Sequence, residues 1–346
     1  MAFSEKSSVY KEELIIKERL SFKDKFNNIL LFIWNPVKKE VFGRDGESWA
    51  RISLFYACFY MFLAGIFAVQ VAIFMAIIDK RMPTYYNEFS VMWQQKVDTV
   101  HVGVSPGLGF RPQIDPITTL IRIKSSEKNE AHPNSYVHYV QLLDDFLSTY
   151  LIVDKRGEQI INCDANSDPD TLEKQFEQNK VCRFEIVEMF GQSNMCTQAR
   201  NYEFDKSKPC VILKLNKIYN WRPEAYGPND QLPYELLPYE SIVRANPRNV
   251  FVLCAGEFQV DLDFTGDITY FSLTPDGSGK GPIGFIPFYY FPYKNQDGYR
   301  SPIVFAYFKN ITTNVLVNVV CRAYAKNIVR NTLYRIGAVH FEVFIN

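Results

Sequence analysis

Residues 52–78 read ISLFYACFYMFLAGIFAVQVAIFMAII, a run of 27 residues without a charge, interrupted only by Ser53, Gly65 and Gln70 as polar or backbone-flexible positions. A hydrocarbon core of about 30 Å is crossed by roughly 20 helical residues, so this stretch is long enough to span with some tilt. A buried helix of a globular protein would normally show a polar face along such a length, and none is visible here. The stretch starts 51 residues into the chain and is much longer than the apolar core of a cleavable signal peptide, so it reads as a transmembrane signal-anchor.

Three features give the span a direction. Lys38, Lys39, Arg44 and Arg51 precede it, against Lys80 and Arg81 after it, a bias that keeps the N-terminal side cytoplasmic. Six of the seven cysteines (Cys163, Cys182, Cys196, Cys210, Cys254, Cys321) follow the span, and Cys58 lies inside it. An even set beyond a membrane anchor reads as three disulfides in an oxidising compartment, with every connectivity of six cysteines still open. The single glycosylation sequon, Asn310-Ile311-Thr312, lies on the same side. The expected organisation is a cytoplasmic segment at 1–51, a single span at 52–78 and an extracellular domain at 79–346, a type II arrangement.

The totals conceal that division. The chain has 346 residues, with 38 Lys and Arg against 38 Asp and Glu, a balance that argues against nucleic-acid binding. By topology the first 51 residues hold 10 basic and 8 acidic groups, the span none, and the remainder 28 and 30. In the cytoplasmic segment, Val9 to Lys25 alternates charge and reads as a surface helix or an unstructured stretch, while Trp34 and Trp49 suit a headgroup layer. Beyond the span, Val211–Leu215, Phe251–Phe264, Ile303–Phe308, Val315–Ala323 and Val339–Ile345 alternate apolar residues at period two, as antiparallel strands do. Ser135–Leu151 instead has helical spacing with Ser135 as its cap, and Asp168–Lys180 reads as a second, shorter helix.

Within the span, Ala64, Ala68, Ala72 and Ala76 recur every four residues with Gly65 beside them, a small-residue stripe that lets another helix approach. Tyr56 and Tyr60 place two hydroxyls one turn apart, and Gln70 puts an amide at mid-membrane depth. Chemistry-bearing motifs are scarce. Gly279–Gly284 fits a G-x-G-x-x-G pattern, but Pro282 and Pro287 follow where a helix would have to begin. Asp261-Leu262-Asp263 starts like a calcium loop but has Ser272 where the bidentate Glu belongs. The four histidines (His101, His132, His138, His340) show no zinc spacing, and no nucleophile elbow occurs. Neither a metal nor a cofactor is expected.

Several of these motifs together resemble one family. Phe32-Ile33-Trp34-Asn35, Lys38-Lys39-Glu40, Gly43-Arg44 and Ser48-Trp49 are followed by Phe55-Tyr56, Phe59-Tyr60 and Leu63-Ala64-Gly65-Ile66-Phe67. Beyond the span come Pro106-Gly107-Leu108, Val181-Cys182-Arg183-Phe184, the block Lys208–Lys217, Phe308–Thr312 and Cys321-Arg322-Ala323-Tyr324. This pattern resembles the β subunits of sodium/potassium-transporting ATPases, over roughly residues 32 to 346, and the sparse sequons suit an invertebrate-type member.

The resemblance implies a non-catalytic partner of the catalytic α subunit of a P-type ATPase, at the plasma membrane, needed for folding, assembly and delivery of that subunit and modulating potassium transport. It implies the pairs Cys163–Cys182, Cys196–Cys210 and Cys254–Cys321. It implies an immunoglobulin-like antiparallel β-sandwich with one helix, α-subunit contacts at Tyr56, Tyr60 and Gly65, and glycosylation at Asn310. The family's aromatic contact segment corresponds here to Tyr289, Tyr290, Phe291, Pro292 and Tyr293, shortened before Tyr299. Two alternatives remain beside it: a β subunit of a proton/potassium pump, and a pump-independent adhesion or junction protein.

Overall fold

The computed structural model describes residues 22–86, 96–97, 100–101, 105–130, 132–151, 159–186, 194–331 and 336–346. The part of the Val9–Lys25 expectation before Phe22 lies outside them. The chain divides into two compact units, residues 1–78 and 79–346.

In the first unit, helix α1 (Phe22–Ile33) leads into a small hairpin of β1 (Trp34–Asn35) and β2 (Glu40–Val41). Asn35 shapes the turn: its Oδ1 accepts from the backbone N–H of Val37 and Lys38 at 3.1 and 3.2 Å. Helix α2 (Gly46–Ile77) follows, 32 residues long. It starts six residues before the uncharged stretch because the preceding sequence is a helix start: Asp45 Oδ1 accepts from Ser48 N at 3.0 Å, Glu47 sits in the first turn and pairs with Arg51. At 1.5 Å per residue the helix is about 48 Å long, so its charged first turn need not enter the hydrocarbon. None of its residues is buried by the rest of the fold.

The second unit is mostly β, curled as an open half-barrel, with three disulfides. A short pair, β3 (Lys96–Val97) and β4 (Val100–His101), comes first. Then follow β5 (Leu108–Arg111), β6 (Leu120–Ile123), α3 (Tyr136–Leu151), β7 (Ile160–Ile161), α4 (Pro169–Glu177) and β8 (Val181–Cys182). The middle of the unit holds β9 (Cys210–Leu215), α5 (Glu240–Ala245), β10 (Val250–Gly256), α6 (Gln259–Thr265) and β11 (Ile268–Phe271). The last strands are β12 (Lys280–Gly281), β13 (Gly284–Ile286), β14 (Ile303–Phe308), β15 (Leu316–Tyr324) and β16 (Ala338–Ile345). One five-stranded sheet runs β13-β10-β15-β16-β6 and the other β12-β11-β14-β9-β5. Within these two sheets the ladders are antiparallel except β16 with β6.

Residues of both sheets and of α3 fill the main core, in which Phe305, Phe308, Phe341 and Leu143 are fully buried, and a smaller cluster gathers around Leu236, Val243 and Phe251. Ile303–Phe308 forms a strand as expected but does not alternate: β14 is buried at all six positions, which its continuous apolar run allows. Helix α3 is joined to this core through its tyrosines. Tyr139 Oη accepts from Arg122 N at 2.9 Å, and Tyr150 Oη donates to the Ser301 carbonyl at 2.9 Å. Ser135 Oγ accepts from Val137 N at 3.3 Å at the helix start, and Asp168 Oδ2 accepts from Thr171 N at 2.9 Å to begin α4.

One expected strand run is corrected. Phe251–Phe264 is not continuous: β10 stops at Gly256, and Gln259–Thr265 is helix α6. Gly256 allows that turn because a Cβ there would stand 2.3 Å from the backbone of Asp261. The Asp261 carboxylate accepts from Phe258 N at 3.3 Å and from Asn318 N at 3.1 Å, so it caps α6 and braces β15. Val260, Leu262 and Phe264 happen to alternate as in a strand, and Val260 and Leu262 point outward. The glycine-rich run at 279–284 passes from β12 in one sheet to β13 in the other. A Cβ at Gly284 would lie 2.7 Å from Val304, so glycine is needed where the two sheets approach.

Candidate partner-docking surfaces

On α2, Tyr56 and Tyr60 stack with ring centroids 6.1 Å apart and planes 25° from parallel, and Phe55 and Phe59 stack at 6.2 Å. Four-residue spacing puts each pair one turn apart on a shared side of the helix. All four rings are exposed, so the N-terminal half of the span presents an aromatic ridge. Gly65 has open space around it: an added Cβ would meet nothing within 4 Å. At about 100° per residue, Gly65 lies some 140° to 180° round the axis from Tyr60 and Tyr56. It shares its side instead with Ala72 and Ala76, seven and eleven residues on, while Gln70 falls on the tyrosine side. Ala64 and Ala68, about 40° and 80° round from Tyr60, fall between, so the span has an aromatic face and a small-residue face of Gly65, Ala72 and Ala76.

The aromatic segment 289–293 is mostly interior. Tyr290 is buried; its hydroxyl donates to the Arg183 carbonyl at 2.8 Å and its ring meets Phe184 edge-on at 5.5 Å. Phe291 packs edge-on against Trp221 at 5.2 Å, and Pro292 is buried. Tyr289 is half-buried, with its carbonyl 3.0 Å from Cys182 Sγ, so the segment leans on the Cys163–Cys182 bridge. Burial pushes the Tyr289 hydroxyl up to about 12 and that of Tyr290 well above its ordinary range. Tyr293 lies 5.3 Å from Tyr219 and 4.9 Å from Tyr299. Lys217 Nζ sits 4.7 Å from the Tyr293 ring and 5.2 Å from that of Tyr299, an ammonium held on two π faces. What remains open to another molecule is the exposed part of Tyr289 and Tyr293 together with Lys217.

The six downstream cysteines pair sequentially, with Cα separations of 5.5 Å for Cys163–Cys182, 5.7 Å for Cys196–Cys210 and 3.9 Å for Cys254–Cys321. The first joins the short parallel pair β7–β8, whose register sets Ile161 opposite Cys182. The third joins residues directly opposite each other on the neighbouring strands β10 and β15. It therefore staples one sheet to itself, whereas the bridge of an antibody domain crosses between sheets. Asn310 is exposed in the turn after β14, its amide 3.4 Å from Asp267 Oδ2, while Ile311 beside it is buried.

One feature escaped the sequence reading. Glu203 is buried, its carboxylate paired with Arg200 at 3.2 Å and Lys206 at 2.9 Å. Three-residue charge spacing is common on exposed helices, and no sequence signal marks this carboxylate as interior. Among the described residues, no group of three or more His, Cys, Asp or Glu is arranged to hold a metal ion.

Among the described residues, one apolar helix of membrane-crossing length and a disulfide-stapled, mostly β domain together define a membrane-anchored ectodomain class of protein. Residues 19–341 match the profile of the sodium/potassium ATPase beta chain. The chain is 33% identical over 335 residues to "Sodium/potassium-transporting ATPase subunit beta-2" of Drosophila melanogaster, covering 94% of both chains. It is 32% identical over 319 residues to "Probable sodium/potassium-transporting ATPase subunit beta-3" of Caenorhabditis briggsae, covering 91% of this chain and 85% of that one. With the human subunit beta-2 it shares 26% identity over 299 residues, 86% of each chain. The chain belongs to the sodium/potassium-transporting ATPase β-subunit family. It is accordingly an ion-transport subunit and not an enzyme in its own right.

Proposed function

We propose that this chain is the non-catalytic β subunit of a sodium/potassium-transporting P-type ATPase. In this role it pairs with the catalytic α subunit, supports its folding, assembly and delivery to the plasma membrane, and modulates potassium transport. The observation that carries the reading is the extent of the likeness, which runs through α2 and the disulfide-bonded domain together over 94% of the chain. A pump-independent adhesion protein would need an anchor, but not the family's own pattern along it.

Residues 1–51 are cytoplasmic in this reading, 52–78 form the signal-anchor, and 79–346 are extracellular as an immunoglobulin-like sandwich. Three disulfides, all beyond the span, favour that direction, since such bonds persist outside the reducing cytosol. Asn310, exposed in its turn, is the glycan acceptor. Tyr56 and Tyr60 form one α-subunit contact, Gly65 with its alanines a second, and the open edges of Tyr289 and Tyr293 a third outside the membrane.

Co-expression with an α chain tests this. Replacing Tyr56→Ala and Tyr60→Ala together should reduce α-chain delivery to the cell surface, and Gly65→Leu should do so independently because it alters the other face. Unchanged delivery with all three substitutions combined would contradict the assigned contacts.

A further inference from the structure

Helix α1 carries a stripe of large apolar side chains that nothing among the described residues of the first unit covers. Phe22, Phe26, Ile29, Leu30 and Ile33 are all exposed, Phe22 at 90%. Their positions (first, fifth, eighth, ninth and twelfth in the helix) gather them into an arc of about 100°. Lys23 and Lys25 fall on opposite flanks of that arc; Asn27 and Asn28 lie behind it, with Leu31 between them, while Phe32 meets Phe42 of the hairpin edge-on at 6.1 Å. An apolar stripe edged by lysines and backed by amides is the pattern of a helix lying in a membrane interface, where ammonium groups reach outward while their stems stay apolar.

Two hydrogen bonds set the depth of this helix. The last residue of α1, Ile33, accepts from Phe42 N at 3.2 Å, closing the hairpin onto the helix end. Trp49, in the first turn of α2, donates its indole N–H to the Val41 carbonyl at 2.8 Å, tying the same hairpin to the start of the span. The uncharged stretch begins at Ile52, three residues after Trp49. The C-terminal end of α1 is thus held where α2 enters the membrane. Charge points to the lipid that receives it: residues 22–51 contain six Lys or Arg against four Asp or Glu.

We infer that α1 is a lipid-docking helix, lying at the headgroup–acyl boundary beside the N-terminal end of α2, with its apolar stripe among acyl chains and Lys23 and Lys25 at the phosphates of anionic lipids. The inference rests on α2 being a membrane span.

The test uses the full chain with Cys58→Ser, reconstituted in phosphatidylcholine vesicles with and without phosphatidylserine. A nitroxide is placed in turn at Phe26→Cys, Leu30→Cys, Asn27→Cys and Asn28→Cys, and at Phe67→Cys in α2. Collision with oxygen reports acyl chains, and collision with a nickel chelate present on both sides reports water. Labels at 26 and 30 should favour oxygen, and labels at 27 and 28 should favour nickel. Replacing Lys23→Gln and Lys25→Gln should lower the immersed fraction relative to the free one by about fivefold per lysine, only in vesicles containing phosphatidylserine. Nickel access at 26 and 30 equal to that at 27 and 28, with the label at 67 immersed, overturns the inference alone. So does protection of 26 and 30 that arises only when an α subunit is added, which would make the occupant protein. Nickel access at 67 as well would instead overturn the reading of α2.

Discussion

Phe67 on α2 is 68% exposed, whereas Phe305 on β14 is fully buried. The same side chain is stable in both places only if the two units meet different solvents. In the first unit the backbone satisfies itself along one long helix, and the apolar side chains project outward, as lipid permits and water does not. In the second unit two sheets and α3 must be brought together from segments far apart in sequence, and buried apolar area holds them. Aromatic content is therefore no guide to burial in this chain; the element that carries the ring decides it.

The difference is sharpest in strong base. Burial raises the hydroxyls of Tyr150, Tyr270, Tyr290 and Tyr324 above their ordinary value. A group whose folded pKa is raised contributes fully below its unfolded value of about 10 and loses that contribution as pH climbs past it. Each of the four then costs about 1.4 kcal/mol per pH unit, so by pH 11 these four alone should cost the second unit about 6 kcal/mol, a large share of a domain's stability. In detergent, circular dichroism should show the strand signal melting between about pH 10 and 12 while the helical signal of α2 persists. Joint loss of both signals would break the two-unit account.

A smaller effect is expected from removing bridges. By loop entropy, Cys254→Ala with Cys321→Ala should cost about 4 kcal/mol, and each of the other pairs about 3 kcal/mol. The third pair joins strands that are already hydrogen-bonded neighbours, so the ranking isolates the loop of 67 residues it closes in the unfolded chain. Denaturant midpoints of the three double variants check it, and an order that puts Cys254–Cys321 last would reject loop entropy as the source. Smaller again is a core truncation. Leu213→Ala, at a fully buried position in β9, should lower ectodomain stability by about 3 kcal/mol, and Phe67→Ala in α2 by less than about 0.5 kcal/mol. Thermal unfolding of the full chain in detergent compares the two, and equal effects would erase the contrast.

The strands β9, β14, β15 and β16 were legible because local apolar pattern and strand agree in each, and α3 because its spacing and Ser135 mark it. Which strands become neighbours was not legible. The parallel pairing of β16 with β6 joins Ile345 to Ile123, and nothing local to either residue encodes it. Helix α6 was missed because Val260, Leu262 and Phe264 mimic alternation, while the deciding contact, Asp261 with Asn318, spans 57 residues. The candidate contact residues divide in the same way. Tyr56 and Tyr60 were legible as one face from spacing alone, and the same arithmetic separates Gly65 from them. The segment 289–293 was legible only as aromatic, since a buried Tyr290 and an exposed one are spelled alike.

The proposed role of this chain as the accessory half of a pump is open to a co-purification experiment. Native membranes are dissolved in mild detergent, the chain is recovered through a tag beyond Asn346, and the proteins that come with it are identified. A catalytic α chain of a sodium/potassium-transporting P-type ATPase is expected in equal amount with the tagged chain. An α chain of a proton/potassium pump would keep the accessory role and change the ion assigned. Recovery of the chain alone, or with adhesion partners and no ATPase, would contradict the claim.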